Sequence, residues 1–201
     1  MAVHGRNLYA WNPTIPASEP YLSLLKAIQP CQIEVSLTFY DDRGRKFYEP
    51  GAPLVESRLQ GIRKLRKAGI RTSLRIDPLF PREPLPRQYW ANSSLKAYGV
   101  ERTHALEEIE ALVSFGASEG CQRIIVSPLK VPVGRRSACW LKEYFRDLYS
   151  EPFGGKPLIR GFASRLPQDY ITSKLFPPVA DICDQFGIEM INCKLNLINT
   201  K

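Results

Sequence analysis

Residues for metal and redox chemistry are sparse in this chain. It has two histidines, His4 and His104, too far apart in sequence to suggest a metal site. Its five cysteines, Cys31, Cys121, Cys139, Cys183 and Cys193, are scattered. No two stand at Cys-x2-Cys or Cys-x3-Cys spacing, so the local patterns that hold zinc or iron–sulfur clusters are missing. An odd number also speaks against a disulfide framework, and the thiols read as buried or partly buried. No run approaches the eighteen or so apolar residues of a membrane span, on the order of the bilayer core. Met1 to Arg6 carries no apolar signal region, so the expected location is cytoplasmic. There is no Gly-rich phosphate loop and no pair of catalytic carboxylates. An independent sugar- or phosphate-handling α/β enzyme therefore has little support. Internal repeats and low-complexity tracts are missing too.

What is present is an ordinary globular composition, 44% apolar and 24% charged over 201 residues, enough for one domain spanning 1–201. Lys and Arg number 28 against 20 Asp and Glu, for a net charge of +8. That excess favours anionic partners such as nucleic acid. The pattern alternates strand and helix: a strand over Asn7–Trp11 and a helix over Glu19–Ile28. A strand over Gln32–Thr38 leads through a polar loop to a helix over Leu54–Ala68. Gly69 stands where a helix C′ glycine belongs. A third strand spans Ile70–Ile76, followed by a proline-studded loop from Leu79 to Val100. Thr103 is placed to cap a helix running to Phe115, and Cys121–Ser127 reads as a fourth strand. The remainder, about 137–187, reads as helical, with helices over Ser137–Tyr149 and Asp169–Phe186. Pro177 and Pro178 must break or kink the second of these. Ile188–Asn192 is a candidate fifth strand. The alternation predicts an α/β fold with parallel strands, either a barrel segment or an open sheet.

Strand faces narrow this further. Ile33, Val35 and Leu37 alternate with Glu34, Ser36 and Thr38; Ile70, Leu74 and Ile76 alternate with Arg71, Ser73, Arg75 and Asp77. Parallel strands covered on both faces read as continuously apolar, so a polar face implies a hydrated or ligand-filled side. Arg123 and Ser127 fit the same register. Glu34, Arg75 and Arg123 should pair with one another or with a ligand, because an unpaired buried charge costs several kcal/mol, roughly. The alternative is a plain solvated face. Arg63, Lys64, Arg66 and Lys67 give the helix after Leu54 a basic face, better read as solvated surface than as a binding patch.

The most specific stretch runs Glu49-Pro50-Gly51-Ala52-Pro53, Arg58-Leu59, Ala68-Gly69-Ile70 and Arg75-Ile76-Asp77-Pro78. The ordered set IEVSLTFYDD…FYEPGAPLVESRLQGIRKLRKAGIRTSLRIDPLFP resembles the radical SAM proteins related to spore photoproduct lyase, often labelled DNA repair photolyases. The likeness is strong over Ile33–Pro81, roughly a quarter of the chain, and extends more weakly towards Asn192. It implies a partial (β/α) barrel of about four to five parallel strands with outer helices. In that family a Cys-x3-Cys-x2-Cys segment after the first strand holds a 4Fe–4S cluster, which cleaves S-adenosylmethionine reductively. This chain lacks that triplet, and nothing before Asn7 supplies further strands. The resemblance therefore implies a protein inactive alone: a truncation, a degenerate paralogue, or a split subunit whose second chain brings the cluster.

By the same resemblance Ser36 sits where the ribose of S-adenosylmethionine is contacted, and Arg75 is placed for its methionine carboxylate. Active-site residues of β/α barrels lie at the C-terminal ends of strands, which adds Thr38, Asp77 and Ser127 as cofactor-binding candidates. For Asp77 a turn-initiating role is an equal alternative. Glu49 reads as structural, a partner for the turn or for Arg58. Cys139 is given no role, no catalytic residue is assigned, and no metal site is expected on this chain. The competing expectation is a non-enzymatic, basic nucleic-acid-binding protein.

Overall fold

In β2 (Cys31–Ser36) the apolar side chains Ile33 and Val35 alternate with Gln32 and Glu34, and this two-residue period sets the whole architecture. The computed structural model describes residues 6–10, 13, 15–28, 30–80, 104–132, 158–160, 163–166 and 168–193. Five strands form one parallel sheet: β1 (Arg6–Ala10), β2, β3 (Arg71–Leu79), β4 (Arg123–Pro128) and, last in the chain, β8 (Glu189–Asn192). They lie in chain order, and every neighbouring pair is parallel. Parallel connections are right-handed. Sequential order therefore places all crossover helices on one face, as in a (β/α) barrel segment. A doubly wound open sheet would reverse direction and cover both faces.

The helices are α1 (Tyr21–Ala27), α2 (Asp42–Tyr48), α3 (Val55–Lys67), α4 (Leu106–Ser118), the short α5 (Gln168–Tyr170) and α6 (Pro177–Gln185). Their apolar stripes meet one sheet face. Leu59, Ile62 and Leu65 of α3, with Ile109, Leu112 and Val113 of α4 and Val179 of α6, share a core with Ile33, Val35, Leu37, Leu74, Ile76, Ile124 and Val126. Gly116 lets α4 approach closely: a Cβ there would stand 3.1 Å from Ile124 Cδ1. Helix α3 stops where expected, at Gly69 with φ 78°, and the Ile70 N–H returns to the Leu65 carbonyl at 3.0 Å.

Four differences from the sequence expectations have physical causes. The polar loop after β2 contains α2, whose start is capped by Asp41 accepting the N–H groups of Arg43 and Gly44 at 2.8 and 3.1 Å; Gly44 hides this helix by its low propensity. Strand β3 continues through Asp77-Pro78 to Leu79, and its register with β4 shifts between Ile76 and Leu79, as a residue without an N–H requires. Helix α4 begins at Leu106 after Ala105, with no side-chain cap; Thr103 lies outside the described residues. A three-stranded antiparallel sheet was not anticipated, with β5 (Lys130–Pro132), β6 (Leu158–Arg160) and β7 (Ala163–Arg165) in the order β5-β7-β6. The irregularity expected at Pro177-Pro178 is present: a π-helical turn over Ile171–Leu175 precedes α6. The helix expected over Ser137–Tyr149 and most of the proline-rich loop lie outside the described residues. Among the described residues no helix is long and apolar enough to cross a membrane.

His104 staples the C-terminal ends of β2 and β3. Its Nδ1 accepts the Phe80 N–H at 3.1 Å, and its Nε2 lies 2.8 Å from the Thr38 carbonyl, to which it donates. The ring packs among Phe39 and Phe80 with no solvent exposure. His104→Ala would strand both backbone groups in a dry interior. It should lower unfolding free energy in urea by roughly 2–4 kcal/mol, and a loss under about 0.5 kcal/mol, the usual surface range, would refute the staple.

Candidate functional site

Paired residues on adjacent parallel strands point to the same face. The registers Glu34↔Ser73, Ser36↔Arg75 and Arg75↔Ile125 gather Glu34, Ser36, Ser73, Arg75, Asp77, Arg123, Ile125 and Ser127 on the face opposite the helices. Ile125 is buried yet takes no part in the helix-side core, which agrees with this division.

At the centre of the face is an ion triple. Arg75 Nη1 donates to Glu34 Oε2 at 2.7 Å, and Arg75 Nη2 donates to Asp77 Oδ2 at 2.6 Å. Nη2 also lies 3.4 Å from Cys193 Sγ. Glu34 and Arg75 are 5% and 7% exposed. Burial opposes the charge on Arg75, but its bonds to Asp77, Cys193 and Glu34 outweigh that and raise its pKa above the ordinary arginine value.

Thr38, Glu49 and Arg58 form a second layer that fixes the end of β2. Arg58, 2% exposed, donates from Nη1 to the Ser36 carbonyl at 3.2 Å and from Nη2 to Glu49 Oε2 at 3.4 Å. Burial lowers the Arg58 pKa, and Glu49 works against that. The Thr38 hydroxyl stands 3.2 Å from both Glu49 Oε1 and the Asp77 carbonyl. Glu49 thus pairs with Arg58 as its place in the sequence suggests.

The structure brings Ser36, Arg75 and Asp77 together at adjacent strand ends, places Ser127 on the same face of β4, 4% exposed, and seats Thr38 in the layer beneath. Asp77 lies within β3 and initiates no turn; its Oδ2 accepts from Arg75. Of the three charges expected to pair, Glu34 and Arg75 do so, whereas the Nε of Arg123 is buried without a partner. Cys193 is the participant that the sequence did not single out, although it follows the fifth strand in the register of Ile191 and the polar face. On α3, Arg63 and Arg66 engage Glu119, through its carboxylate and its carbonyl oxygen respectively. Lys64 and Lys67 are the exposed members of that basic face.

The described cysteines do not converge. Cys31 opens β2, Cys121 precedes β4, Cys183 lies within α6 and Cys193 follows β8. Burial pushes the Cys121 thiol up to about 11 and that of Cys183 up to about 12. Among the described residues no three of His, Cys, Asp and Glu gather as metal ligands. The side chains described here therefore do not fit a 4Fe–4S cluster; Cys139 lies outside them. Glu34, Ser36, Asp77 and Ser127, on one face, are the groups that would meet S-adenosylmethionine there.

No protein-family model and no curated protein matches the sequence. Among solved structures, the fold is similar to a mutant spore photoproduct lyase, with a TM-score of 0.58 at 12% identity, covering 93% of this chain and 51% of that one. It is likewise similar to a mutant of that enzyme with bound AdoMet and dinucleoside spore photoproduct, with a TM-score of 0.57 at 12% identity and the same coverage. These likenesses concern the fold, and the chain spans about half the length of the structures it matches.

Removing one partner of a buried ion pair leaves the other uncompensated. Arg75→Ala should cost roughly 3–5 kcal/mol of stability. Combining it with Glu34→Gln should restore a substantial part, a coupling on the order of 1 kcal/mol or more in a double-mutant cycle. Strict additivity in urea unfolding would show that the triple does not hold the two strands.

Proposed function

We propose that this chain is a radical-SAM-like protein, related to the spore photoproduct lyase-like proteins, that holds S-adenosylmethionine against the C-terminal ends of β2, β3 and β4 and takes its iron–sulfur cluster from a second chain. The observation that carries the reading is the Glu34–Arg75–Asp77 triple, a charged group built into the face of a partial β/α barrel opposite its described helices. When bound with a reduced cluster, S-adenosylmethionine supplies a radical; this chain's residues supply its seat. Asp77 and Glu34 offer negative charge to the sulfonium and ammonium groups. Ser36 and Ser127 offer hydroxyls to ribose and carboxylate. Arg75, which donates to Glu34 and Asp77, orients Asp77 and remains the candidate for the methionine carboxylate, and Thr38 positions the strand ends.

The second chain would add to the β1 edge. Edge strands expose unpaired backbone groups, and Ile15, Tyr21 and Leu24, in the segment after β1, are 53%, 51% and 57% exposed. A second reading, nucleic-acid binding without catalysis, draws on the net charge of +8 and on exposed Lys64, Lys67 and Arg71. Its mark would be salt-sensitive DNA binding, weakened when those lysines are neutralised and indifferent to Asp77.

Equilibrium dialysis tests the main reading. S-adenosylmethionine should bind several-fold more tightly than S-adenosylhomocysteine, which lacks the sulfonium charge. Asp77→Asn should erase that preference and weaken binding about tenfold, the worth of roughly 1.4 kcal/mol. Equal affinity for the two ligands, or none for either, sinks the assignment. Anaerobic reconstitution with iron and sulfide should leave the isolated chain with well under stoichiometric iron; a full cluster spectrum would remove the need for a second chain.

A further inference from the structure

A strand inside a parallel sheet spends its backbone groups alternately on its two neighbours, and β2 outruns one of them. The Leu37 N–H donates to the Arg75 carbonyl at 2.9 Å, so residue 37 serves β3 and the Ser36 carbonyl turns to the β1 side. There the described pairing ends at Ala10↔Val35. The donor that Ser36 needs comes from the helix layer: Arg58 of α3 reaches its carbonyl with Nη1 at 3.2 Å. Through Nη2 the same guanidinium holds Glu49 Oε2, and Glu49 Oε1 stands 3.2 Å from the Thr38 hydroxyl. The connection beyond is tied separately, by Glu108 Oε1 of α4 accepting the Tyr40 N–H at 3.1 Å. The direct hold of Arg58 on the strand therefore falls on Ser36.

As a core stabiliser Arg58 is poorly matched to its place. It is buried, its Nε has no hydrogen-bond partner, and among the described residues its ion pair is with Glu49 at 3.4 Å. Apolar side chains of similar volume often match or better a buried ion pair. Such a chain at position 58 would fill the space beneath β2 and leave the Ser36 carbonyl without this donor. What arginine adds is reach, a planar fork that holds Glu49 with one limb and Ser36 with the other.

We propose that Arg58 is a positioning residue for the ligand seat, fixing Ser36 from the helix side so that its hydroxyl selects a ribose over a deoxyribose. This rests on the S-adenosylmethionine reading above and divides that ligand between two supports. Arg58 governs the ribose end through Ser36, and Arg75 governs the sulfonium end through Asp77. The Arg75–Asp77 contact lies on the opposite face of the sheet and does not involve Arg58, so loss of the first support leaves the second in place.

Equilibrium dialysis separates the two supports. The native chain should bind S-adenosylmethionine several-fold more tightly than its 2′-deoxyribose analogue. Arg58→Met should lose that preference and keep the preference over S-adenosylhomocysteine that Asp77 sets. Ser36→Ala should lose the ribose preference equally, and adding Arg58→Met to it should remove no more. A folded Arg58→Met that weakens every ligand alike and keeps its ribose preference has lost only stability, which overturns the inference. Native binding with no ribose preference overturns it too. Should Arg58→Met not fold, Arg58→Lys, which keeps a cation for Glu49 without the fork, is read in the same way. If the native chain binds no S-adenosylmethionine, the seat itself fails, and the positioning of Ser36 is decided on the ligand-free chain by hydrogen–deuterium exchange. The Leu37 amide should then gain about tenfold in exchange rate over any gain at Val126 in β4, the scale of one lost hydrogen bond. Equal gains at both amides mean global destabilisation and overturn the positioning.

Discussion

A parallel sheet wound in one direction can cover only one of its faces with its own helices. Everything on the other face must be paired, hydrated or filled by a ligand, because backbone and side-chain groups withdrawn from water without partners are costly. Among the described residues, the groups that meet that constraint on this face include an ion triple. Glu34, Arg75 and Asp77 come from β2 and β3, and their mutual attraction offsets a desolvation cost that none of them could bear alone. Neither strand can slip without breaking the triple, since a shift of one residue turns every side chain to the opposite face.

The triple also explains why the two faces of β3 are not interchangeable. Leu74 and Ile76 are fully buried against helices, while Ser73 and Arg75, buried as well, take polar partners. Gln32 Nε2 donates to the Ser73 hydroxyl at 2.6 Å, extending the polar layer towards the start of the strands. Burial alone would not distinguish the faces; the chemistry of the partners does.

Much of this was legible in the sequence, and the reason is local. The two-residue alternation in Ile33–Thr38 and Ile70–Asp77 is a direct image of strand geometry, and it marked Glu34, Arg75 and Asp77 as co-facial before any pairing was known. Gly69 and Pro177 announced their helix ends because their backbones admit few alternatives. Helix α2 was obscure for the opposite reason. Its Gly44 weakens the helical pattern, and the compensation lies in Phe39, whose ring is so near that a Cβ at Gly44 would stand 2.5 Å from it. Cys193 and Glu108 were invisible for a further reason. Their partners, Arg75 and Tyr40, stand 118 and 68 positions away, and no local pattern encodes such a meeting. The histidine staple is of the same kind.

The segment that carries the sequence resemblance, Ile33–Pro81, holds the Glu34–Arg75–Asp77 triple and, beside it, a brace. Glu49, Arg58 and Thr38 touch one another and the carbonyls of Ser36 and Asp77; they decide where the ends of β2 and β3 stand. Arg58 reaches Ser36 from the helix side, so the Glu-Pro-x-x-Pro turn and the Arg-Leu pair read as the brace of a strand end. Such a brace is needed by any ligand seated on these strands, whatever supplies the reactive electron. Selection on the brace and selection on the cluster ligands are therefore separable, because they act on different parts of the barrel. A chain can keep the first without the second, and that separation is what makes a seat for S-adenosylmethionine on a sequence without clustered cysteines a physically coherent proposal.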